Sequence, residues 1–390
     1  DGVGTYIDEN GILKYASNNT PRFDHDPVTG ESLGLLIEES RTNILYGTPS
    51  QSNTVNTYNL YNSLTGKYDA TKLAKNSPTT SQSHGAWNWN GNLSTTSFVM
   101  SVFVKKINHA SFFMQAVSSG VGDNLYVYYN IDTGVTSHTD YNSPGNLTVT
   151  KSIENYPDGW FRLVARVQGF SNAALHSGIR VGFAHPTNNS QQYVDSSDEV
   201  LVFGAQAEVG DFATSYIPTH ESTTSVTRGA DTAIIKGTNF SDFYNASEST
   251  VFCNFTQNAS QSESSGNERV YKFKAVGGND TRIDYVTYND YHPYIASDGS
   301  QVANLNGFNN LYGGLENRTS VRVKKDDFAS ALNGTVESTD TSGAWPPTNS
   351  ITEVSIGSQG NSNYLNGHIR QFSYYNKALP DAQLQGLTQQ

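Results

Sequence analysis

A chain of 390 residues is long enough for two or three domains of roughly 100–200 residues, each with room for a sizeable core. With 34 Gly, 23 Tyr, 18 Phe and only 15% charged residues, the composition favours short strands and polar turns over surface helices. The 24 Lys and Arg against 36 Asp and Glu give a formal charge of −12 with no basic cluster along the chain, so neither nucleic acid nor an anionic membrane is an expected partner.

The first 46 residues read as an extended N-terminal arm, whose apolar run Leu33-Gly-Leu-Leu-Ile37 suits packing on neighbouring subunits or on the first folded unit. From residue 47 the pattern changes. Short apolar runs recur with Gly, Asn, Asp and Ser between them, as in antiparallel sandwiches, most clearly over 98–104, 125–129, 161–167, 179–183 and 200–203. Within 161–167, Phe161, Leu163, Ala165 and Val167 alternate with Arg162 and Arg166, so one face is expected in the core and the other in solvent. Between the runs, His84-Gly-Ala-Trp-Asn-Trp-Asn90 places Trp87 and Trp89 in what reads as a polar loop.

Residues 205–238 carry no long strand signal, and the domain join is placed there, giving a first sandwich over 47–232 and a second over 233–390. The second set of runs covers 250–255, 269–273, 282–286, 320–323, 328–332, 354–356 and 369–372. The lone cysteine, Cys253, sits in the first of these as a buried small hydrophobe, which excludes an internal disulfide framework. Asn333-Gly334 is a hairpin turn between two strand signals, because that dipeptide accepts positive φ at both central positions, and Asp158-Gly159 is a similar signal. One helix is expected, at the carboxyl end, where Pro380 suits a first helical position, Asp381 favours the amino-terminal dipole, and Leu384 and Leu387 share a face. No run reaches the roughly 18–20 apolar residues of a membrane helix, and the amino terminus lacks the blocks of a signal peptide; a soluble mature protein with no membrane partner is expected.

Three stretches resemble bacteriophage tail fibre and tailspike proteins: Pro21-Arg-Phe-Asp-His-Asp-Pro-Val-Thr-Gly30 with Gly34-Leu-Leu-Ile-Glu-Glu-Ser-Arg-Thr-Asn-Ile-Leu45; Tyr156-Pro-Asp-Gly-Trp-Phe-Arg162 with Phe203-Gly-Ala-Gln-Ala-Glu-Val-Gly210 and Ser215-Tyr-Ile-Pro-Thr219; and the segments from Phe328 to Leu379 that are similar to a concanavalin A-like or laminin-G-like domain. The resemblance implies an all-β protein of two antiparallel, jelly-roll, lectin-like β-sandwiches with a short C-terminal helix. It also implies a carbohydrate-binding, receptor-recognising virion appendage or extracellular protein. The partners implied are a bacterial surface or extracellular polysaccharide and other virion subunits, in a homotrimer. No cofactor is required, although lectin-like sandwiches often hold structural calcium; Asp24 with Asp26, Asp195 with Asp198, and Asn279 with Asp280 are the residues that would serve, with solvated turns as the competing account.

Sugars are bound by aromatic faces stacked on the ring, with amides, carboxylates and hydroxyls fixing the ring hydroxyls. Trp87 and Trp89 form one candidate set, and Tyr288, Tyr291, His292 and Tyr294 in Asp284-Tyr-Val-Thr-Tyr-Asn-Asp-Tyr-His-Pro-Tyr294 form the other; ordinary packing is the alternative for both. Catalysis stays open. No Glu-x-Asp-x-Glu strand of the laminarinase type occurs, and no Gly-x-Ser-x-Gly elbow. Tyr271-Lys-Phe-Lys-Ala275 resembles a strand of alginate lyases, which makes Tyr271, Lys274, Arg269 and His292 the candidates should the protein be a polysaccharide lyase or depolymerase, while the partner Gln-Ile-His strand of those enzymes is missing. A purely structural virion role is the third reading.

Overall fold

The computed structural model describes residues 4–50, 54–75, 85–90, 95–118, 124–141, 147–170, 175–188, 190, 197–219, 222–257, 268–275, 282–286, 293–297, 300–305, 314–345 and 351–389. They fall into two compact units, Asp1–Glu31 with Ser40–Gly229 and Ser32–Glu39 with Ala230–Gln390. The first 46 residues run in short strands and are shared between the units.

The first unit is an antiparallel β-sandwich. One six-stranded sheet has the order Thr148–Asn155, Trp160–Gln168, Ser97–Lys106, Glu199–Val209, Lys67–Lys75, Thr54–Asn62; the other runs Thr136–Tyr141, Asn124–Asn130, Ser111–Ser118, Leu175–Phe183, Gly85–Asn90, Tyr46–Ser50. Alternate residues of both sheets, such as Phe98, Met100, Val102 and Val104 against Phe112, Met114, Leu125 and Val127, close a common core. Every strand run expected here from the sequence is a strand.

The Ser97–Lys106 strand is apolar on both faces because both are covered. Phe103 points away from the sandwich core into a second cluster with Trp160, Phe203 and Tyr216. Arg162 belongs to the same covered side. It is only 6% exposed, donates from Nη2 to Ser101 Oγ at 3.0 Å and to the Thr214 carbonyl at 2.8 Å, and lies over the Phe103 ring. The expectation that Arg162 and Arg166 face solvent is therefore corrected: the segment after Val209 folds back over that face, and Arg166 meets Asp211 of the same segment at 3.5 Å.

The stretches over 203–210 and 215–219 have a packing explanation. The Gln206 side chain accepts from Ile217 N–H at 2.6 Å, and Glu208 accepts from Thr214 N–H and Thr214 Oγ at 2.8 and 2.7 Å, so alternate residues of 203–210 hold 214–217 in place. Arg22, buried, donates to the Thr5 carbonyl and to Ser215 Oγ at 3.0 and 2.7 Å. Turn signals read from the sequence hold as well: Asp158 and Gly159 have φ of 55° and 73°.

The second unit is also an antiparallel sandwich. Its six-stranded sheet has the order Ala233–Lys236, Glu353–Ile356, Arg269–Lys274, Arg282–Val286, Pro293–Ser297, Ser300–Asn304. The facing sheet carries Thr335–Asp340, Phe328–Leu332, Asn317–Lys324, Glu248–Gln257, Gly367–Tyr375 and Ser32–Ile37 in that order. Val251, Cys253, Phe255, Phe273, Tyr285, Val321 and Val354 fill the space between them. The run Leu33–Ile37 thus joins the second unit's sheet through pairing of Leu35, Leu36 and Ile37 with Ile369, His368 and Gly367, which corrects the expectation that it packs on the first sandwich.

Asn333 and Gly334 have φ of 46° and 87° and join Phe328–Leu332 to Thr335–Asp340, the hairpin expected. The C-terminal helix covers Asp381–Thr388, with Pro380 at the N-cap and Asp381 in the first turn. Leu384 is buried on Ala329, Ala331 and Leu379, and Leu387 packs beside them.

Candidate functional site

Period-two alternation in the sheet of the first unit that contains Ser111–Ser118 sends Phe112, Met114, Leu125, Val127, Ile179 and Val181 inward. The residues between them point outward. Backbone register aligns these into rows across the strands: Thr139, Tyr126, Gln115 and Arg180 in one row, Ser137, Tyr128, Phe113 and Gly182 in the next, and Tyr141 opposite Asn124 in a third.

The outward face is aromatic and polar at once. Tyr126 and Tyr128 stack with centroids 6.2 Å apart, Phe113 meets Tyr126 edge-on at 5.6 Å, and Tyr141 meets Tyr126 edge-on at 5.9 Å. Tyr126 and Tyr128 are 4% and 3% exposed, whereas Tyr141 is 45% exposed. Tyr141 is thus the exposed ring of the set, packed edge-on against the buried Tyr126. Burial, and then the neighbouring Tyr141 and Tyr126 phenols, push the Tyr128 hydroxyl well above its ordinary value, so it stays a neutral hydrogen-bonding group.

The buried Gln115 organises the polar part. Its Nε2 donates to Asn124 Oδ1 at 2.7 Å, which orients the Asn124 amide with its NH₂ turned away, and its Oε1 accepts from Arg180 Nη1 at 3.4 Å. The Asn124 amide and the Arg180 guanidinium are therefore tied to one buried side chain, and Tyr141 lies opposite Asn124 on the neighbouring strand. Among the described side chains of these rows there is no carboxylate, and so no pair to serve as acid and nucleophile in glycoside hydrolysis.

None of these residues was singled out in the sequence. The signal was the spacing: in Phe112-Phe-Met-Gln-Ala116 a glutamine stands at the parity opposite the core residues, and in Leu125-Tyr-Val-Tyr-Tyr129 two tyrosines do.

Trp87 and Trp89 lie in a strand, Gly85–Asn90, rather than the expected loop, with Trp87 paired to Val181 by backbone register; their side chains lie outside the described residues. The Gly/Asn-rich wording misled because the strand sits between two partners that supply its hydrogen bonds. Tyr288, Tyr291 and His292 also lie outside the described residues. Tyr294 is half-buried in Pro293–Ser297 with the Arg282 guanidinium 4.4 Å from its ring centre.

The three lyase candidates among the described residues, Tyr271, Lys274 and Arg269, do not converge. Tyr271 is 0% exposed in the core, packed on Phe273, Tyr285 and Phe372, where no polymer reaches its phenol. Lys274 lies on the opposite face of the same strand and pairs with Glu353 at 3.1 Å, and Arg269 is buried at the start of the strand. Of the calcium candidates, Asp24 accepts from Ile7 N–H at 2.6 Å, Asp26 accepts from Val28 and Thr29 N–H, and Asp198 meets His109 at 3.3 Å. Asp195, Asn279 and Asp280 lie outside the described residues, and among the described residues no group of three or more His, Cys, Asp or Glu side chains could hold a metal ion.

No family model matches the chain, and no curated protein matches it. Among solved structures the chain is similar to mouse laminin alpha1 chain domains LG4-5, at 8% identity over 94% of this chain and 96% of that one, with a TM-score of 0.29. It is similar to the SAP-like pentraxin of Limulus polyphemus at 11% identity over 37% of this chain and 70% of that one, TM-score 0.29. It is also similar to the Trypanosoma rangeli sialidase in complex with the inhibitor DANA at 8% identity over 96% of this chain and 65% of that one, TM-score 0.29. Overlaps of this size carry no argument about ligand or activity, and the two sandwiches stand on the strand order and register given above.

Proposed function

We propose that the protein is a carbohydrate-binding appendage protein that recognises a bacterial surface or extracellular polysaccharide without cleaving it. The first unit's outward sheet face makes the contact. The observation that carries this reading is the exposed Tyr141 ring opposite Asn124 in register, with Asn124 and, further along the sheet, Arg180 both hydrogen-bonded to the buried Gln115. A ring to stack on a sugar and fixed donors for its hydroxyls are what a sugar site requires. Binding without turnover fits a face of rings, amides, hydroxyls and a guanidinium. The resemblance of 21–45 and 203–219 to phage tail proteins supports placing the protein on a virion, as a homotrimer among other subunits.

The test is a glycan array with the full chain, followed by calorimetry on the best ligand. Tyr141→Ala is expected to weaken binding by about tenfold, the scale of one lost aromatic contact with its area. No glycan bound, or an unchanged affinity in a folded Tyr141→Ala protein, would remove this site. Release of unsaturated ends from a uronate polymer would replace binding by lyase chemistry.

A further inference from the structure

The C-terminal helix Asp381–Thr388 of the second unit buries Leu384 and Thr388 and leaves a neighbouring face uncovered. Ala382 and Gly386 form one row on that face, and Gln383 and Leu387 the next, each pair four residues apart. With Tyr375, at the end of the Gly367–Tyr375 strand, and with Lys377 and Leu379 of the segment that follows it, they line a groove of about 450 Å³. That lies within the roughly 300–1,000 Å³ of small-molecule sites. The lining is apolar apart from the Tyr375 phenol and the exposed Lys377 and Gln383.

Gly386 is the first pointer to an occupant. It stands inside the helix, where glycine loses more backbone freedom on folding than alanine does. Its φ is not left-handed, and a Cβ added there would meet nothing within 4 Å beyond the helix backbone itself. Neither backbone conformation nor packing within the chain therefore requires glycine at this position. What the missing side chain does is keep the groove open.

Lys377 is the second. Its backbone is fixed, because Thr250 Oγ1 donates to the Lys377 carbonyl and accepts from Leu379 N–H, both at 3.0 Å. The carboxylate nearest to it in sequence, Asp381, is taken by Arg322 Nη1 at 2.6 Å. Among the described residues the Lys377 ammonium has no carboxylate within 4 Å, although the chain as a whole carries −12. An apolar groove with one uncompensated cation at its edge matches a ligand with an apolar body and a terminal anion. A sugar ring matches it less well, since its hydroxyls would outnumber the polar groups available to them.

We propose that this groove binds an aliphatic carboxylate. The chain lies between Tyr375 and the row of Ala382 and Gly386, against Leu379 and Leu387, and the carboxylate rests on Lys377. The site is independent of the sugar face on the first unit.

The experiment is calorimetric titration of the full chain with octanoate, and in parallel with 1-octanol, which has the same chain and no charge. Octanoate is expected to bind, and octanol to bind at least about tenfold more weakly, the scale of one charge-assisted hydrogen bond. Lys377→Gln should bring octanoate down to the level of octanol. Gly386→Leu fills the groove and replaces glycine by a better helix former, so it should abolish binding of both compounds with a melting temperature no lower than the parent's. Ala382→Leu, from an exposed position on the same wall, should do the same and serves as the readout if Gly386→Leu does not fold. Tyr141→Ala should leave octanoate binding unchanged. No heat with either compound, or octanoate affinity indifferent to Lys377→Gln or to both groove-filling variants in folded protein, would overturn the proposal. So would self-association of the parent chain that Gly386→Leu abolishes, because the groove would then be a contact between copies.

Discussion

Asn43 Oδ1 accepts from the Ala207 backbone N–H at 3.1 Å, while the Ala207 carbonyl accepts from Ile44 N–H at 3.0 Å. The same buried amide accepts from Leu45 N–H at 3.1 Å and donates through Nδ2 to the carbonyls of Ala205 and Ile217, both at 3.0 Å. One side chain thereby satisfies four backbone groups from three separate stretches of the first unit. Asn43→Ala leaves them unpaired in the interior, and at roughly 1–3 kcal/mol per buried group the unit should lose several kcal/mol, read as a lower denaturation midpoint with little change in slope. Asn43→Asp should do at least as much damage, because it turns a carboxylate oxygen toward two carbonyls.

Gly34 lies in the Ser32–Ile37 strand with φ of 98°, and a Cβ there would sit 2.3 Å from the Ile369 carbonyl oxygen. Backbone, not a flexible side chain, blocks the space. Gly34→Ala is therefore expected to push the strand off its partner Gly367–Tyr375 and to destabilise the second unit by more than about 1 kcal/mol. Amide exchange would show the loss first at Ile369 and its neighbours; protection unchanged there would contradict the placement.

Gln115→Leu tests whether orientation matters on the proposed sugar face. The substitution nearly keeps volume but removes both bonds that set Asn124 and Arg180. Affinity for the array-selected glycan should fall by about tenfold. Gln115 acts by positioning, so a second substitution, Gln115→Glu, should restore the Arg180 contact and lose the Asn124 one, giving an intermediate affinity. Equal affinities in all three proteins would make Gln115 a packing residue only.

Much of the fold was legible because period-two patterning survives wherever one sheet face is buried. Leu163, Ala165 and Val167 occupy the core as the alternation requires. Where both faces are covered the rule loses its grip: Arg162 looks solvent-facing only until the segment bearing Thr214 lies over it. Thr54–Asn62, with Val55 and Tyr61 exposed, reads as polar and is nonetheless a sheet-edge strand. The candidate face was hidden for a related reason. Gln115, Asn124 and Arg180 become neighbours only through strand pairing, and single-sequence reading sees spacing along the chain but not across it.

Asp340 ends the Thr335–Asp340 strand of one sheet in the second unit and holds an edge strand of the other. Its Oδ2 accepts from Asn304 N–H at 2.8 Å, and its Oδ1 accepts from the N–H and Oγ of Ser342, both at 2.9 Å. The bond from Asn304, followed by that from the Ser342 backbone, holds its carboxyl below the ordinary 3.8, against a weaker opposing effect of burial. Asp26 is lowered in the same way, first by the Thr29 N–H. In each case the unfolded chain takes up a proton at a higher pH than the folded one. Their stabilisation is thus present above the ordinary carboxylate value of 3.8 and is lost as the pH falls below it, through the lowered values of the folded protein. Asp340→Asn should remove part of that dependence: stability at neutral pH should drop, and the drop between pH 5 and pH 3 should be shallower than in the parent protein. Urea denaturation followed across that pH range measures both, and parallel curves for the two proteins would show that Asp340 does not link the sheets.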